Sequence, residues 1–193
     1  MDIKALFESK NGVLKTSELR QNGVYHKQLA SLIEEGAIIK IKPGYYIQNG
    51  EISDIAILNT LYPDGVFCLE SALYYNGLIK IKPNTYHIAF DKDCTKSRFN
   101  LDCIMVKPYF LEPENLKIGT EEKIIEGINI KVYDCERCIC DVLRYRNKIS
   151  GELFSDAMRN YISKEDKNLL KLNDYTERLR ISATARELLG VWI

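Results

Sequence analysis

No stretch of the 193 residues approaches the roughly 20 consecutive apolar residues that a membrane span needs. The opening Met1-Asp2-Ile3-Lys4 lacks the charged-then-apolar order of a secretory signal, so a cytoplasmic protein is expected. Net charge is absent too: 27 basic and 27 acidic side chains cancel, which excludes a strongly basic nucleic-acid coat over the whole chain. There is no GxGxxG, no GxxxxGK[ST], and no glycine-serine turn ahead of a close aspartate pair, so phosphate loops and two-metal nucleotidyl transfer find no anchor. Only two histidines occur, His26 and His87, and the latter sits in a short strand where a surface or hydrogen-bonded role outweighs catalysis. An enzyme, a cofactor and a metal are not expected.

What is present is the composition of a folded protein: 46% hydrophobic, 28% charged and 10% aromatic residues, with twelve tyrosines. Six cysteines in a chain without a signal segment are expected as reduced thiols. The cluster Cys135-x-x-Cys138-x-Cys140 lacks the second pair that a tetrahedral zinc site requires.

The first fifty residues read as three short helices and a hairpin. Asp2 to Ser9 places Ile3, Leu6 and Phe7 on one face, and Asn11-Gly12 stops the helix. Thr16 is expected to cap a second helix with its hydroxyl, and Asn22-Gly23 to end it. A third helix from Tyr25 to Glu35 is expected to bury Tyr25, Leu29, Leu32 and Ile33, and Gly36 closes it. Ile39-Lys40-Ile41-Lys42, Pro43-Gly44 and Tyr45-Tyr46-Ile47 then form a two-stranded wing, with Ile39 and Ile41 inward and both lysines outward. The polar Gln48-Asn49-Gly50-Glu51 marks a domain junction, giving domains at 1–50 and 51–193. Residues 1–50 carry a net charge of +2 and the remainder −2.

In a helix-turn-helix the second helix of the pair enters the major groove with its first residues. Lys27 and Gln28 are the foremost base-contact candidates, with His26 and Ser31 beside them, because lysine donates to guanine and glutamine pairs with adenine. Thr16, Tyr25, Lys40, Lys42 and Tyr45 complete the candidate DNA surface, the wing lysines serving phosphate contact. A protein-docking module of the same order remains the alternative.

Beyond residue 51 the pattern is mixed. Strands are expected at Val66–Leu69, Tyr86–Phe90, Cys103–Lys107, Lys123–Ile125 and Ile128–Tyr133, the last two joined by a Glu126-Gly127 turn. A helix of Ser71–Asn76 ends at Gly77, and from Asp134 onward apolar residues recur at helical spacing. The fold class is therefore α+β: an N-terminal winged helix-turn-helix followed by a larger mixed α/β domain with a helical C-terminal end. Arg137, Arg144, Arg146 and Lys148 form a candidate C-terminal surface for DNA or antitoxicity, against the alternative of a solvated helix face.

Over nearly its full length the chain resembles the AbiEi family of antitoxins from abortive-infection, type IV toxin–antitoxin systems. The N-terminal segments that carry this are Leu32-Ile33-Glu34-Glu35-Gly36, Ile38-Ile39-Lys40-Ile41 and Pro43-Gly44-Tyr45-Tyr46. More distinctive are Tyr62-Pro63, the run from Leu69-Glu70-Ser71-Ala72-Leu73 to Leu78, Gly127 with Ile130-Lys131-Val132-Tyr133, and Glu136-Arg137-Cys138-Ile139-Cys140-Asp141. Cys138 departs from the threonine expected there. The resemblance implies a repressor that binds inverted repeats of double-stranded DNA in its own promoter. It also implies an antitoxin that opposes a nucleotidyltransferase-like toxin without a stable complex, with pairing of two copies on DNA left open. A winged-helix regulator whose C-terminal domain senses a ligand is the second reading, and a nucleic-acid-modifying enzyme the third.

Overall fold

A computed structural model describes residues 2–99, 101 and 103–190. The chain divides into two compact units, Met1–Pro63 with Asn100–Ile104, and Asp64–Phe99 with Met105–Ile193. The division thus falls beyond the polar junction expected at Gln48–Glu51. The reason is α4 (Asp54–Leu61), whose residues Ile55, Ala56, Ile57, Leu58 and Leu61 are all buried and which packs on the first strand of the N-terminal unit. A helix so apolar all round cannot serve as a solvated linker.

The N-terminal unit runs α1 (Ile3–Glu8), β1 (Val13–Lys15), α2 (Thr16–Gln21), α3 (His26–Glu34), β2 (Ile38–Lys42) and β3 (Tyr45–Gln48) before α4. Asp2 caps α1 by accepting from the backbone N–H groups of Lys4 and Ala5. The sheet is three-stranded and antiparallel, in the order β1-β3-β2, so the expected two-stranded hairpin gains β1 as a neighbour of β3. Phe7, Leu14, Leu19, Val24, Leu29, Ile38 and Tyr46 form the core, with Ile3, Leu6 and Leu32 packed against it.

Two expected core faces shift by one residue. Helix α3 begins at His26, and Tyr25 precedes it in extended conformation (φ −99°, ψ 174°), so Val24 takes the core place while Tyr25 is 64% exposed and Ile33 39%. In β2 it is Ile38 that points inward at 2% exposure, and Ile39 is 45% exposed. A register shift between Lys40 and Lys42 then breaks the alternation, leaving Ile41 and Lys42 both half-buried.

The C-terminal unit holds a mixed five-stranded sheet in the order β6-β5-β4-β8-β7. Its strands are β4 (Val66–Phe67), β5 (Tyr86–Asp91), β6 (Val106–Leu111), β7 (Thr120–Ile125) and β8 (Ile128–Tyr133). Strand β4 is shorter than expected because Leu69, at φ +44°, already opens α5 (Leu69–Tyr75). The strand expected at Cys103–Lys107 instead runs Val106–Leu111 through Pro108; as an edge strand it accommodates a residue with no N–H to donate. The β7–β8 hairpin turns at Glu126-Gly127 as expected, both residues at positive φ (+53° and +76°).

Besides α5, the described α-helices of this unit are α6 (Pro113–Lys117), α7 (Cys135–Arg144), α8 (Gly151–Ile162), α9 (Leu169–Arg178) and α10 (Ser182–Leu189). Helix α7 is central, packed against α5, α8, α9 and α10. Its polar residues are buried and paired. Arg137 is fully buried; its Nε donates to Asp141 Oδ1 at 3.0 Å, and one Nη donates to the carbonyls of Asn115 and Ile118 at 2.6 and 2.9 Å. The guanidinium also stacks 4.1 Å from the Tyr133 ring centroid. Asp134 caps α7 and accepts from Tyr175 Oη, while Lys171 Nζ lies 2.9 Å from Asp134 Oδ2 and 3.8 Å from Glu136 Oε2. Glu136 Oε1 accepts from the Asn168 N–H, binding α7 to the start of α9.

Strand β5 carries His87, whose backbone N–H donates to the buried Ser71 hydroxyl at 2.8 Å. The ring is buried, with Nδ1 3.1 Å from Tyr109 Oη and Nε2 3.8 Å from Glu70 Oε1. Burial, and secondarily the Lys107 charge, lower its pKa from 6.5 to about 4; a carboxylate at 3.8 Å does not offset them. His87 is therefore a neutral, hydrogen-bonded core residue.

Two consequences can be measured. Gly119 sits at φ +74°, and a Cβ there would lie 2.5 Å from Arg137 Cβ, an atom too close to its own backbone to swing aside. Gly119→Ala should lose about 3 kcal/mol or more of stability, read from the urea unfolding midpoint. For His87, the unfolded chain takes up a proton below pH 6.5 that the folded chain refuses until about 4, so stability is complete above 6.5 and falls as pH drops through that window. The loss is on the order of 3 kcal/mol, and His87→Gln should show a correspondingly flatter fall between neutral and acid unfolding curves.

Candidate nucleic-acid interface

Helices α2 and α3 are joined by a tight turn in which the Gly23 N–H donates to Arg20 O and the Val24 N–H to Leu19 O. Leu19, Val24 and Leu29 face the core, which fixes the opposite face of α3 outward: His26, Lys27, Ser31 and Glu34 are exposed. Lys27 makes no hydrogen bond or ion pair among the described residues. Ser31 Oγ donates to Glu35 Oε1 at 2.6 Å, and Gln28 Oε1 accepts weakly from the Tyr25 N–H at 3.4 Å. Gln28 must therefore leave the first turn to pair with a base.

The charges along α3 are ordered. No acidic residue lies in its first turn, so the helix-dipole positive end stands with His26 and Lys27, whereas Glu34 and Glu35 sit at the far end. An anionic groove would attract the first turn and repel the last. Exposed Tyr25 flanks that first turn.

The hairpin tip is tied to the start of α2. The Thr16 N–H donates to Gly44 O at 2.8 Å, and Lys15 Nζ lies 5.9 Å from the Tyr45 ring centroid, which brings Thr16, Lys15 and Tyr45 together. Thr16 is the first helical residue rather than the cap; the cap geometry is supplied by Glu18, whose carboxylate accepts from the Lys15 N–H at 2.8 Å. Lys40 is exposed on β2, whereas Lys42 is half-buried with Nζ 5.7 Å from the Tyr62 ring. Sequence spacing missed Arg20, exposed in the last turn of α2; the available signal was that it is the only basic residue of that helix.

The C-terminal candidates do not form one surface. Arg137 lies in the core because α7 is enclosed on all sides, and Arg144 is half-buried, donating to Leu179 O. Arg146 is half-buried and donates to Leu143 O at 3.4 Å. Lys148 is exposed, with Nζ 5.9 Å from the Tyr145 ring centroid. Cys138 and Cys140 are buried in α7, and among the described residues no three His, Cys, Asp or Glu side chains gather as a metal site needs. No described helix is long and apolar enough to cross a membrane.

No curated protein matches the chain. Its fold is similar to that in the crystal structure of RV2827C protein from Mycobacterium tuberculosis, with a TM-score of 0.57 at 12% identity, over 97% of this chain and 78% of that one. At that identity the likeness is one of fold. Residues 1–47 match the family model described as a transcriptional regulator, AbiEi antitoxin. This segment contains α1 to α3 and most of the three-stranded sheet, so the similarity to the AbiEi antitoxin transcriptional regulators lies in the N-terminal unit.

Proposed function

We propose that the N-terminal unit is a winged helix-turn-helix that binds double-stranded DNA, with α3 in the major groove and the β2–β3 hairpin on the flanking backbone. The observation that carries this reading is the polarity of α3: His26 and Lys27 exposed on an acid-free first turn, with both glutamates at the opposite end. Lys27 is the base-reading residue, and Lys40 and Arg20 are phosphate contacts. Lys42, already against the Tyr62 ring, contributes less.

Within this reading the chain is a cytoplasmic, non-catalytic repressor of its own promoter, where it recognises inverted repeats. It is also the antitoxin of a type IV abortive-infection system, opposing a nucleotidyltransferase-like toxin without forming a stable complex. The match of residues 1–47 to a family of antitoxin regulators supports both halves of that role. Co-expression with the neighbouring toxin gene should restore growth while the two proteins elute separately in size exclusion.

Electrophoretic shift assays with the protein's own promoter test the DNA surface. Lys27→Ala should weaken operator binding by about 1–3 kcal/mol and relax sequence preference. Lys40→Ala should weaken binding to all sequences alike and reduce the salt slope by about 1. Parental binding by both variants would move the interface away from α3 and the hairpin.

A further inference from the structure

The C-terminal unit carries an aromatic and cationic surface that the reading above does not use. Alternation along β6 puts Lys107 and Tyr109 on one face of the sheet, in register with His87 and Ala89 of β5. The Tyr109 ring meets Tyr145, the residue that ends α7, edge to face at 5.6 Å and 77°. Lys107 Nζ stands 5.8 Å from the Tyr109 centroid, and Lys148 Nζ 5.9 Å from that of Tyr145. The four side chains make a continuous Lys-Tyr-Tyr-Lys run. Both lysines are exposed and both rings half-buried, and neither lysine has a carboxylate within ion-pair distance among the described residues. Arg146 adds a further cation at the same helix end.

Folding accounts for Tyr109, whose hydroxyl pairs with His87 Nδ1, but it leaves both lysine side chains held by ring contacts alone. Each lysine is exposed and meets no carboxylate among the described residues, so its charge is open to an anion, and the half-buried tyrosine pair lies between them. Their chemistry fits an occupant that brings both phosphates and free base faces. A duplex offers phosphates but keeps its base faces stacked inside; a single strand offers both.

We propose that Lys107, Tyr109, Tyr145 and Lys148 form a second nucleic-acid site, one that takes single-stranded RNA or DNA. A base stacks on the tyrosine pair through Tyr145, and the phosphates on either side lie against Lys107 and Lys148. The site belongs wholly to the C-terminal unit and does not depend on the duplex-binding reading of α3.

Fluorescence anisotropy of the full chain with labelled oligouridine and oligothymidine of about twelve nucleotides, and with a random duplex of the same length, tests it. Either or both single strands should bind more tightly than the duplex, and which of them does so tells RNA from DNA. Lys107→Ala with Lys148→Ala should weaken single-strand binding at least tenfold and lower the log–log salt slope by about 1.4, two phosphate contacts at the single-strand coefficient. Tyr145→Ala should weaken it roughly 5- to 150-fold with the salt slope unchanged, and Tyr145→Phe, which keeps the ring, should restore it. Lys27→Ala should leave it intact. The proposal is overturned if neither single strand binds, if the random duplex binds more tightly than both, if the double lysine variant binds like the parent, or if Tyr145→Phe is as weak as Tyr145→Ala.

Discussion

Taking a guanidinium out of water costs several kcal/mol unless its charge and donors are met inside the protein, and much of the C-terminal unit is arranged around meeting that demand for Arg137. Asp141, one turn along the same helix, supplies the counter-charge. The carbonyls of Asn115 and Ile118, at the end of α6, take two donors, and Tyr133 at the end of β8 supplies a π face. Nη2 makes no hydrogen bond among the described residues, so the ring contact is its compensation. A helix, a loop and a strand are thereby fixed to α7 by one side chain, and Gly119 exists at its position because no larger residue clears the Arg137 stem. The Asp134, Glu136, Lys171 and Tyr175 cluster extends the same logic to α9.

The N-terminal unit works by the opposite economy. Its core is small and apolar, and its polar side chains are directed outward or used to close helix ends, as with Asp2, Glu18 and Gln28. That leaves a few cations uncommitted where helix and hairpin are exposed. A chain of zero net charge can still present a local positive face because the acids of α3 are grouped at one end.

Turns were the most legible part of the sequence. Asn22-Gly23 and Glu126-Gly127 have chemistry that admits few backbone conformations, and the elements they join fell where expected. Strand β1 was hidden because three residues between a turn and a helix show no alternation, and β6 because Pro108 reads as a breaker unless the strand is known to lie at an edge. The faces of α3 and β2 slipped by one residue, since Val24 and Ile38 are as apolar as the Tyr25 and Ile39 next to them. Arg137 and Asp141, at i and i+4, look the same on a solvated helix as on an enclosed one; only the packing of four other helices around α7 separates the two. The Tyr109–Tyr145 contact joins distant segments through sheet order, which no local pattern encodes.

The hydrogen bond from the Thr16 N–H to Gly44 O has a geometric consequence for any double helix the unit engages. It ties the tip of the hairpin to the start of α2. For the proposed duplex-binding mode, the offset between what α3 and the hairpin would touch is then set by the protein. In that mode a partner sequence would meet the fixed offset by its own bending and groove width.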